Sequence, residues 1–221
     1  MSKDWKFMGN ERKYIEDVLL SGFGASESGT MNERLEKIFS EIYNTKYAIT
    51  ANSGTSTLHM ALNAFGIKPG DEVIIPSLTV GMCGFVVWQC GAIPVYADVK
   101  PDTFLLDSKD VEQKITDKTK AIMPVHMYGN MCDMESIMSI AKKNNLYVVE
   151  DCAECQLSHD DKNRLAGTIG DVGSWSFENS KHITTGDGGI VATDNEDFAI
   201  SMRKFSSAGF KNLTAVSGKT R

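Results

Sequence analysis

The chain has 221 residues, enough to bury the core of one large domain, and its 42% apolar and 24% charged residues are ordinary for a globular protein. A net charge of −6 argues against nucleic acid or an anionic membrane as partner, and no apolar run approaches the length of a membrane span. Five cysteines, an odd number in a chain this long, argue against a disulfide framework and for a reducing cytoplasm.

In chain order, residues 9–21 and 31–43 have helical spacing. Tyr14, Val18 and Leu19 recur on one face of the first, and Leu35, Ile38, Phe39 and Ile42 on one face of the second. Between them Gly22–Gly29 is rich in glycine and serine and reads as a mobile loop. Tyr47–Thr50 is a short strand, and Thr57–Phe65 is helical again. Apolar, β-rich runs then follow at Glu72–Ile75, Ile93–Ala97, Lys120–Val125 and Tyr147–Glu150, with helical segments at Val80–Cys90, Ser108–Lys118 and Met134–Asn144. Strands that are continuously apolar and alternate with helices predict an α/β fold, a mostly parallel sheet covered by helices on both faces.

In such sheets ligands bind at the carboxyl ends of the strands. That rule selects Ser53–Ser56, Pro76–Thr79, His126–Gly129 and Asp151–Cys155. A further apolar run, Val172–Phe177, is followed by Lys181, a threonine pair, the turn Gly186–Gly189 and the run Gly189–Ala192, which predicts a reversed strand. Glu196–Phe205 is the last amphipathic helix. Ser206–Arg221 is polar and aperiodic and reads as loop.

Several of these residues are candidates for chemistry. Ser53, Gly54 and Thr55 lie between strand and helix, where they form either an anion cradle or an ordinary N-cap. Asp151 is a strand-end carboxylate able to pair with a buried cation or a ring nitrogen, or else a capping or surface acid. Cys152 and Cys155, with His159 nearby, have no second pair of ligands at metal-site spacing and read as packing residues, so no metal site is expected. His59 and His126 read as packed, satisfied histidines. Gly186–Gly189 lacks the Gly-Lys-Ser/Thr ending of a phosphate loop and reads as a tight turn. Lys181 is out of place as a solubility charge. An anion cradle, a strand-end acid and a lysine together suit pyridoxal phosphate, which needs amides for its phosphate, an acid for its ring nitrogen and an amine for its aldehyde.

The segments Ser53–Leu62, Pro69–Ser77, Pro124–Gly129, Val149–Ala153 and Ser176–Gly189, in this order, resemble the sugar aminotransferases of the DegT/DnrJ/StrS type. The resemblance runs from about Gly9 to Phe210. It implies the large domain of the fold-type I pyridoxal-phosphate scaffold, with residues 1–205 as the cofactor-binding domain and 206–221 leading to a small domain absent from this chain. It further implies that Lys181 is the catalytic amine, that Asp151 holds the ring nitrogen protonated, and that Gly54, Thr55 and Ser176 hold the phosphate. Relatives with histidine in place of the lysine are dehydratases; Lys181 here favours transamination.

The implied reaction moves an amino group, with glutamate as donor, to a nucleotide-linked keto-deoxysugar. A keto-inositol, a free keto-sugar acid and a non-catalytic domain of the same fold are the alternatives. The implied assembly is a homodimer, or one joined by a separate chain that supplies the small domain. Because relatives continue past the loop in which Arg221 lies, the chain alone is expected to be inactive. Two positions depart from the pattern: Val80 replaces an aromatic residue that stacks on the cofactor ring, and Glu154 replaces a Gln or His that donates to its phenolic oxygen. An ionised carboxylate cannot donate, so Glu154 is expected to be protonated, or turned toward substrate or a water.

Overall fold

The computed structural model describes residues 9–22, 30–207, 209, 214 and 215. Helix starts follow the side chains able to cap them. In α2 (Met31–Tyr43) Thr30 and Glu33 form a reciprocal capping box, and Asn44 closes the helix in the left-handed region at φ 52°. In α3 (Gly54–Ala64) the Ser53 hydroxyl accepts from the Ser56 N–H at 3.1 Å. This helix starts three residues before the predicted Thr57, because its first turn, Gly-Thr-Ser, has no apolar residue to mark the period.

Asp107, Asp133 and Asn195 cap α5 (Ser108–Lys114), α6 (Met134–Asn144) and α7 (Glu196–Ser206) in the same way. Helix α5 ends four residues before the predicted Lys118. Ile115 is already extended, and the Thr116 N–H is taken by the Thr119 hydroxyl at 2.9 Å. Helices α1 (Glu11–Leu20) and α4 (Met82–Gln89) have no side-chain cap.

Seven strands form one sheet: β1 (Tyr47–Ala51), β2 (Glu72–Pro76), β3 (Ile93–Ala97), β4 (Thr119–Ile122), β5 (Tyr147–Asp151), β6 (Val172–Ser176) and β7 (Gly189–Thr193). Their order is β1-β7-β6-β5-β4-β2-β3. Every neighbouring pair from β3 to β6 is parallel, and β7 is the predicted reversed strand, antiparallel to both β6 and β1. Strand β4 stops at Ile122 rather than Val125, since Pro124 has no N–H to continue the ladder. The chain instead re-engages β5 at its end, where the Asp151 N–H donates to Pro124 O at 2.9 Å and the His126 N–H to Asp151 O at 3.0 Å.

Both faces are covered, as strand β7 illustrates. Ile190 and Ala192 belong to an aromatic cluster under α2 that holds Phe39, Tyr43 and Trp175, while Val191 belongs to the main core with Leu58 and Leu62 of α3 and Met202 of α7. Phe39 stacks on Tyr43 at 4.2 Å between ring centroids and meets Trp175 edge-on at 4.8 Å.

The inner face of α2 is rotated from the predicted one. Glu36, Phe39 and Tyr43 are buried, whereas Ile38 and Ile42 are half exposed. Helix α1 has no buried residue, and among the described residues the Tyr14–Leu19 stripe stays largely exposed, with Arg34 over the Tyr14 ring at 5.1 Å. Glu36 is buried as the partner of Arg203 (Nη2 to Oε2, 2.9 Å) and accepts from the Thr50 N–H at 2.9 Å, which ties α2, β1 and α7 together. Of the predicted Gly22–Gly29 loop, residues 23–29 lie outside the described residues, as does most of Ser206–Arg221. Among the described residues no helix is long and apolar enough to cross a membrane.

Candidate active site

Three of the four strand ends selected from the sequence, Ser53–Ser56, His126–Gly129 and Asp151–Cys155, meet in one cavity of about 390 Å³, whose walls include Thr55, Met127, Asp151, Ser176 and Lys181. The fourth, Pro76–Thr79, stops short of it, and Val80 next to it lines the cavity instead. Three pieces of backbone build it. The first is the junction of α3 with β6. A Cβ on Gly54 would come within 2.7 Å of Ser176 Cβ, so glycine lets the first turn of α3 lie directly on the end of β6. The Thr57 hydroxyl fastens that contact, 2.7 Å from the Ser174 hydroxyl. The Gly54 and Thr55 amides, at the positive end of an eleven-residue helix, therefore sit beside the Ser176 hydroxyl.

The second piece is the end of β5. Asp151 is buried at the cavity floor; its Oδ1 accepts from the Ala153 N–H at 3.0 Å and its Oδ2 from the Cys83 thiol at 3.3 Å. Burial pushes its carboxyl above the usual carboxylate value, while the Ala153 N–H, the Cys83 thiol and the Lys181 charge pull the other way without cancelling it. The thiol of Cys83 is pushed far above the usual range by burial and by the Asp151 charge.

The third piece is the loop from β6 to β7, which carries Lys181. Its threonine pair and glycines hold it in place. The Thr184 hydroxyl donates to Phe177 O at 3.0 Å, the Thr185 N–H to Phe177 O at 3.0 Å, and the Phe177 N–H to Gly188 O at 2.9 Å. Gly186 lies at φ 87°, as the tight turn requires. Gly189 closes the loop where a Cβ would sit 2.7 Å from Ser53 O and 2.8 Å from Trp175 O.

Lys181 Nζ lies 3.4 Å from Glu154 Oε1, with both side chains mostly buried, and Glu154 Oε2 accepts from the Tyr128 N–H at 3.2 Å. Glu154 therefore faces the lysine, held there by a residue whose own backbone is left-handed at φ 56°. Lys181, Asp151, Glu154, Gly54, Thr55 and Ser176, all selected from the sequence, line one space. Val80 lines it too, half exposed at the rim.

Three features were not foreseen. Cys83 touches Asp151 from 68 positions away, a contact with no local sequence signal. Glu178 and Asp187 add carboxylates to the mouth; hydrogen bonds from Ser180 hold Glu178 below its usual value. The third lies on the opposite face of β5, where Glu150 is buried beside His126.

Glu150 accepts from the Gly167, Ile169 and Gly170 N–H groups at 2.9, 2.7 and 2.6 Å and from His126 Nε2 at 2.9 Å. Those four donors occupy the four lone-pair positions of a carboxylate. The Cys132 N–H donates to His126 Nδ1 at 3.1 Å, which leaves the imidazole proton on Nε2, facing Glu150. His126, Glu150 and Cys152 are the three buried groups close enough to suggest a metal among the described residues. Glu150 has no lone pair left to give one. Cys152 and Cys155 are buried in the cluster under α2, as packing residues.

The arrangement can hold a phosphorylated, carbonyl-bearing ring. A helix N-terminus and two hydroxyls take the anion, a buried carboxylate takes a ring N–H, and an amine stands within the same walls. Comparison with known proteins gives the same direction. A GDP-perosamine synthase of Caulobacter vibrioides is 45% identical over 195 residues, covering 88% of this chain and 52% of that protein. The crystal structure of the aminotransferase from Psychrobacter cryohalolentis superposes with a TM-score of 0.86 at 37% identity, covering 97% of this chain and 56% of that one. A Bacillus subtilis protein, NtdA, solved with its cofactor PMP bound, superposes with a TM-score of 0.82 at 34% identity, covering 92% and 46%. The chain thus spans about half the length of the curated relatives it matches. With residues 7–220 matching its pattern, the chain belongs to the DegT/DnrJ/EryC1/StrS aminotransferase family.

Proposed function

We propose that this chain is the cofactor-binding part of a pyridoxal-phosphate-dependent aminotransferase that passes an amino group from an amino acid, glutamate, to a nucleotide-linked keto-deoxysugar. The observation that carries the proposal is the meeting of Lys181, Asp151 and the Gly54–Ser176 contact in one cavity. The cofactor, when bound, supplies an aldehyde for the amino group and a ring that withdraws electrons from the reacting carbon.

The residues divide the remaining work. The Gly54 and Thr55 amides, with the Thr55 and Ser176 hydroxyls, bind the phosphate. Asp151 keeps a proton on the ring nitrogen, which its carboxylate can do because both its oxygens are already fixed by donors. Lys181 Nζ would hold the cofactor through its aldehyde and would be the base placed to move the proton at the substrate carbon. Glu154, anchored by Tyr128, fixes where Lys181 Nζ rests.

Residues 1–205 serve as the cofactor domain, and 206–221 lead on toward the small domain that relatives carry. A homodimer in the cytoplasm is the proposed assembly. Incubation of the purified chain with pyridoxal phosphate should give a visible band. Borohydride should abolish that band and leave the label on Lys181 by peptide mapping. Label scattered over surface lysines, with no visible band, would refute the proposal. For the full-length protein, assays with nucleotide-linked keto-sugars, keto-inositols and free keto-sugar acids, each with glutamate as donor, decide the acceptor.

A further inference from the structure

Asp151 owes its orientation to a residue on a different layer of the fold. Its Oδ1 takes the Ala153 N–H, two residues along the same chain, and its Oδ2 takes the thiol of Cys83 at 3.3 Å from the first turn of α4. Cys83 is itself buried and its sulfur lies 3.2 Å from the Thr79 hydroxyl. The direction of these bonds can be assigned. A thiol has one proton, and an ionised carboxylate can only accept, so the proton of Cys83 points at Asp151 and the Thr79 hydroxyl donates to the sulfur. Thr79 to Cys83 to Asp151 is thus a one-way relay of donors, running from the end of β2 to the cavity floor.

We propose that Cys83 is a positioning residue of this site, whose thiol, oriented by Thr79, fixes the plane of the Asp151 carboxylate so that its remaining lone pairs face the cavity. The proposal rests on the reading of the cavity as a pyridoxal-phosphate site only for what those lone pairs then receive, a ring N–H. The relay itself belongs to the chain. Two donors on two oxygens leave a carboxylate one vacant lone pair on each, and remove the rotation about Cβ–Cγ that would let it turn away. The other titratable groups toward Asp151 are Lys181, across the cavity, and His126, whose ring is committed to Glu150. Removing the thiol takes away a donor that neither of them replaces. A cysteine serves here because burial and the neighbouring carboxylate both hold its proton in place, so the group facing Asp151 is a thiol donor and not a thiolate.

The test is a ¹³C titration of the aspartate carboxyl carbons in the cofactor-free chain, with the Asp151 resonance assigned by its absence in Asp151→Asn. Cys83→Ala is expected to raise the apparent pKa of Asp151 by about one unit, since a hydrogen bond to the charged form favours that form. Cys83→Ser, which restores a donor, should return it most of the way. Thr79→Val, which leaves the thiol but not its orientation, should give a smaller rise. An Asp151 titration unchanged in Cys83→Ala would overturn the proposal, as would a rise that serine fails to reverse. Should Cys83→Ala fold poorly, the Cys83→Ser and Thr79→Val pair decides: equal titration of Thr79→Val and the wild type refutes the relay.

A parallel measurement separates the two readings. In protein loaded with ¹⁵N-labelled pyridoxal phosphate, Cys83→Ala should lower the protonated fraction of the ring nitrogen, and Cys83→Ser should restore it. If no variant and no wild-type protein retains the cofactor, the functional reading fails while the carboxyl titration still judges Cys83.

Discussion

Glu150 and Asp151 are consecutive residues of β5, both buried, and their acidities move in opposite directions. Glu150 is held below its usual value although burial opposes this, because His126 and the backbone amides of Gly167 and Gly170 bond its charged form. Asp151 is held above its usual value because burial outweighs the donors it has. Strand geometry sends the two side chains to opposite faces, so one carboxylate is walled into the core and its neighbour opens on the cavity.

Opposite signs give opposite stability effects. Glu150, with a folded pKa below its ordinary 4.5, stabilises the fold at any pH above that value, and the contribution fades as pH falls through the lower folded value. Glu150→Gln turns an amide toward three backbone N–H donors and should cost about 3 kcal/mol at neutral pH. Urea midpoints of the variant and the wild type should draw together as pH falls from 4.5 and converge only below the lowered folded value, where the carboxylate is lost.

Asp151 runs the other way. Its folded form binds a proton more tightly than the unfolded chain, so the associated stability is complete below the ordinary 3.8 and is lost as pH rises through the raised value. Asp151→Asn, uncharged at every pH, is therefore expected to match the wild type or exceed it by up to about 1 kcal/mol at pH 7, while the ring nitrogen loses its partner. A thermal melt together with pyridoxal phosphate retention on dialysis checks both halves. A site that costs stability where it serves function is a familiar compromise.

Gly54→Ala is a packing test of the phosphate cradle. The added methyl would meet Ser176 Cβ at 2.7 Å and Ser176 Cα at 3.3 Å, which forces the first turn of α3 off the end of β6. Retention of pyridoxal phosphate, followed by fluorescence quenching, should weaken at least about tenfold, with a stability loss of about 1–3 kcal/mol. Ser176→Ala, which removes only the hydroxyl, should weaken retention with a smaller effect on melting.

Glu154→Gln tests the contact with Lys181. Glu154 Oε1, 3.4 Å from Lys181 Nζ, competes with a carbonyl for the amine. The glutamine keeps an acceptor for the Tyr128 N–H but gives up the ion pair, so a less tightly held amine should capture the pyridoxal phosphate aldehyde about threefold to tenfold faster. Stopped-flow growth of the visible band measures this. A slower rate would assign Glu154 to proton removal from the lysine.

An exposed apolar strip runs from the cavity rim along α4. Val80 and Met82 line the cavity, and Phe85 and Trp88 meet edge to face at 5.7 Å between centroids, all four between 39% and 59% exposed. If a second copy covers this strip in the proposed homodimer, Trp88→Asp should raise the dissociation constant at least about tenfold in sedimentation velocity. An unchanged sedimentation coefficient across the concentration range would place the subunit contact elsewhere.

The strand–helix alternation could be read from the sequence because buried parallel strands are continuously apolar, and Glu72–Pro76 and Tyr147–Glu150 stand out against the helices between them. Lys181, Asp151 and Gly54 could be read because each lies at the end of such a run. Periodicity was less informative for α2. Ile38 and Ile42 extend the apolar surface beside Phe39 and Tyr43, and the sequence has no signal for which part of that surface this chain covers by itself. The His126–Glu150 pair and the Cys83–Asp151 contact join residues 24 and 68 positions apart; the pairing of the chain after β4 with β5 brings the first together, and the placing of α4 beside the end of β5 the second.

Gly189 is a wall shared by three neighbours. With Ser53 O and Trp175 O each within 2.8 Å of where a side chain would begin, β7, the cap of α3 and the end of β6 touch through bare backbone at this single point. Stability and cofactor binding are therefore not separately adjustable there. Any side chain at 189 pushes the lysine loop, the phosphate cradle and the central sheet apart together. At Gly186, by contrast, a Cβ would meet nothing within 4 Å, and only its φ of 87° restricts a side chain there.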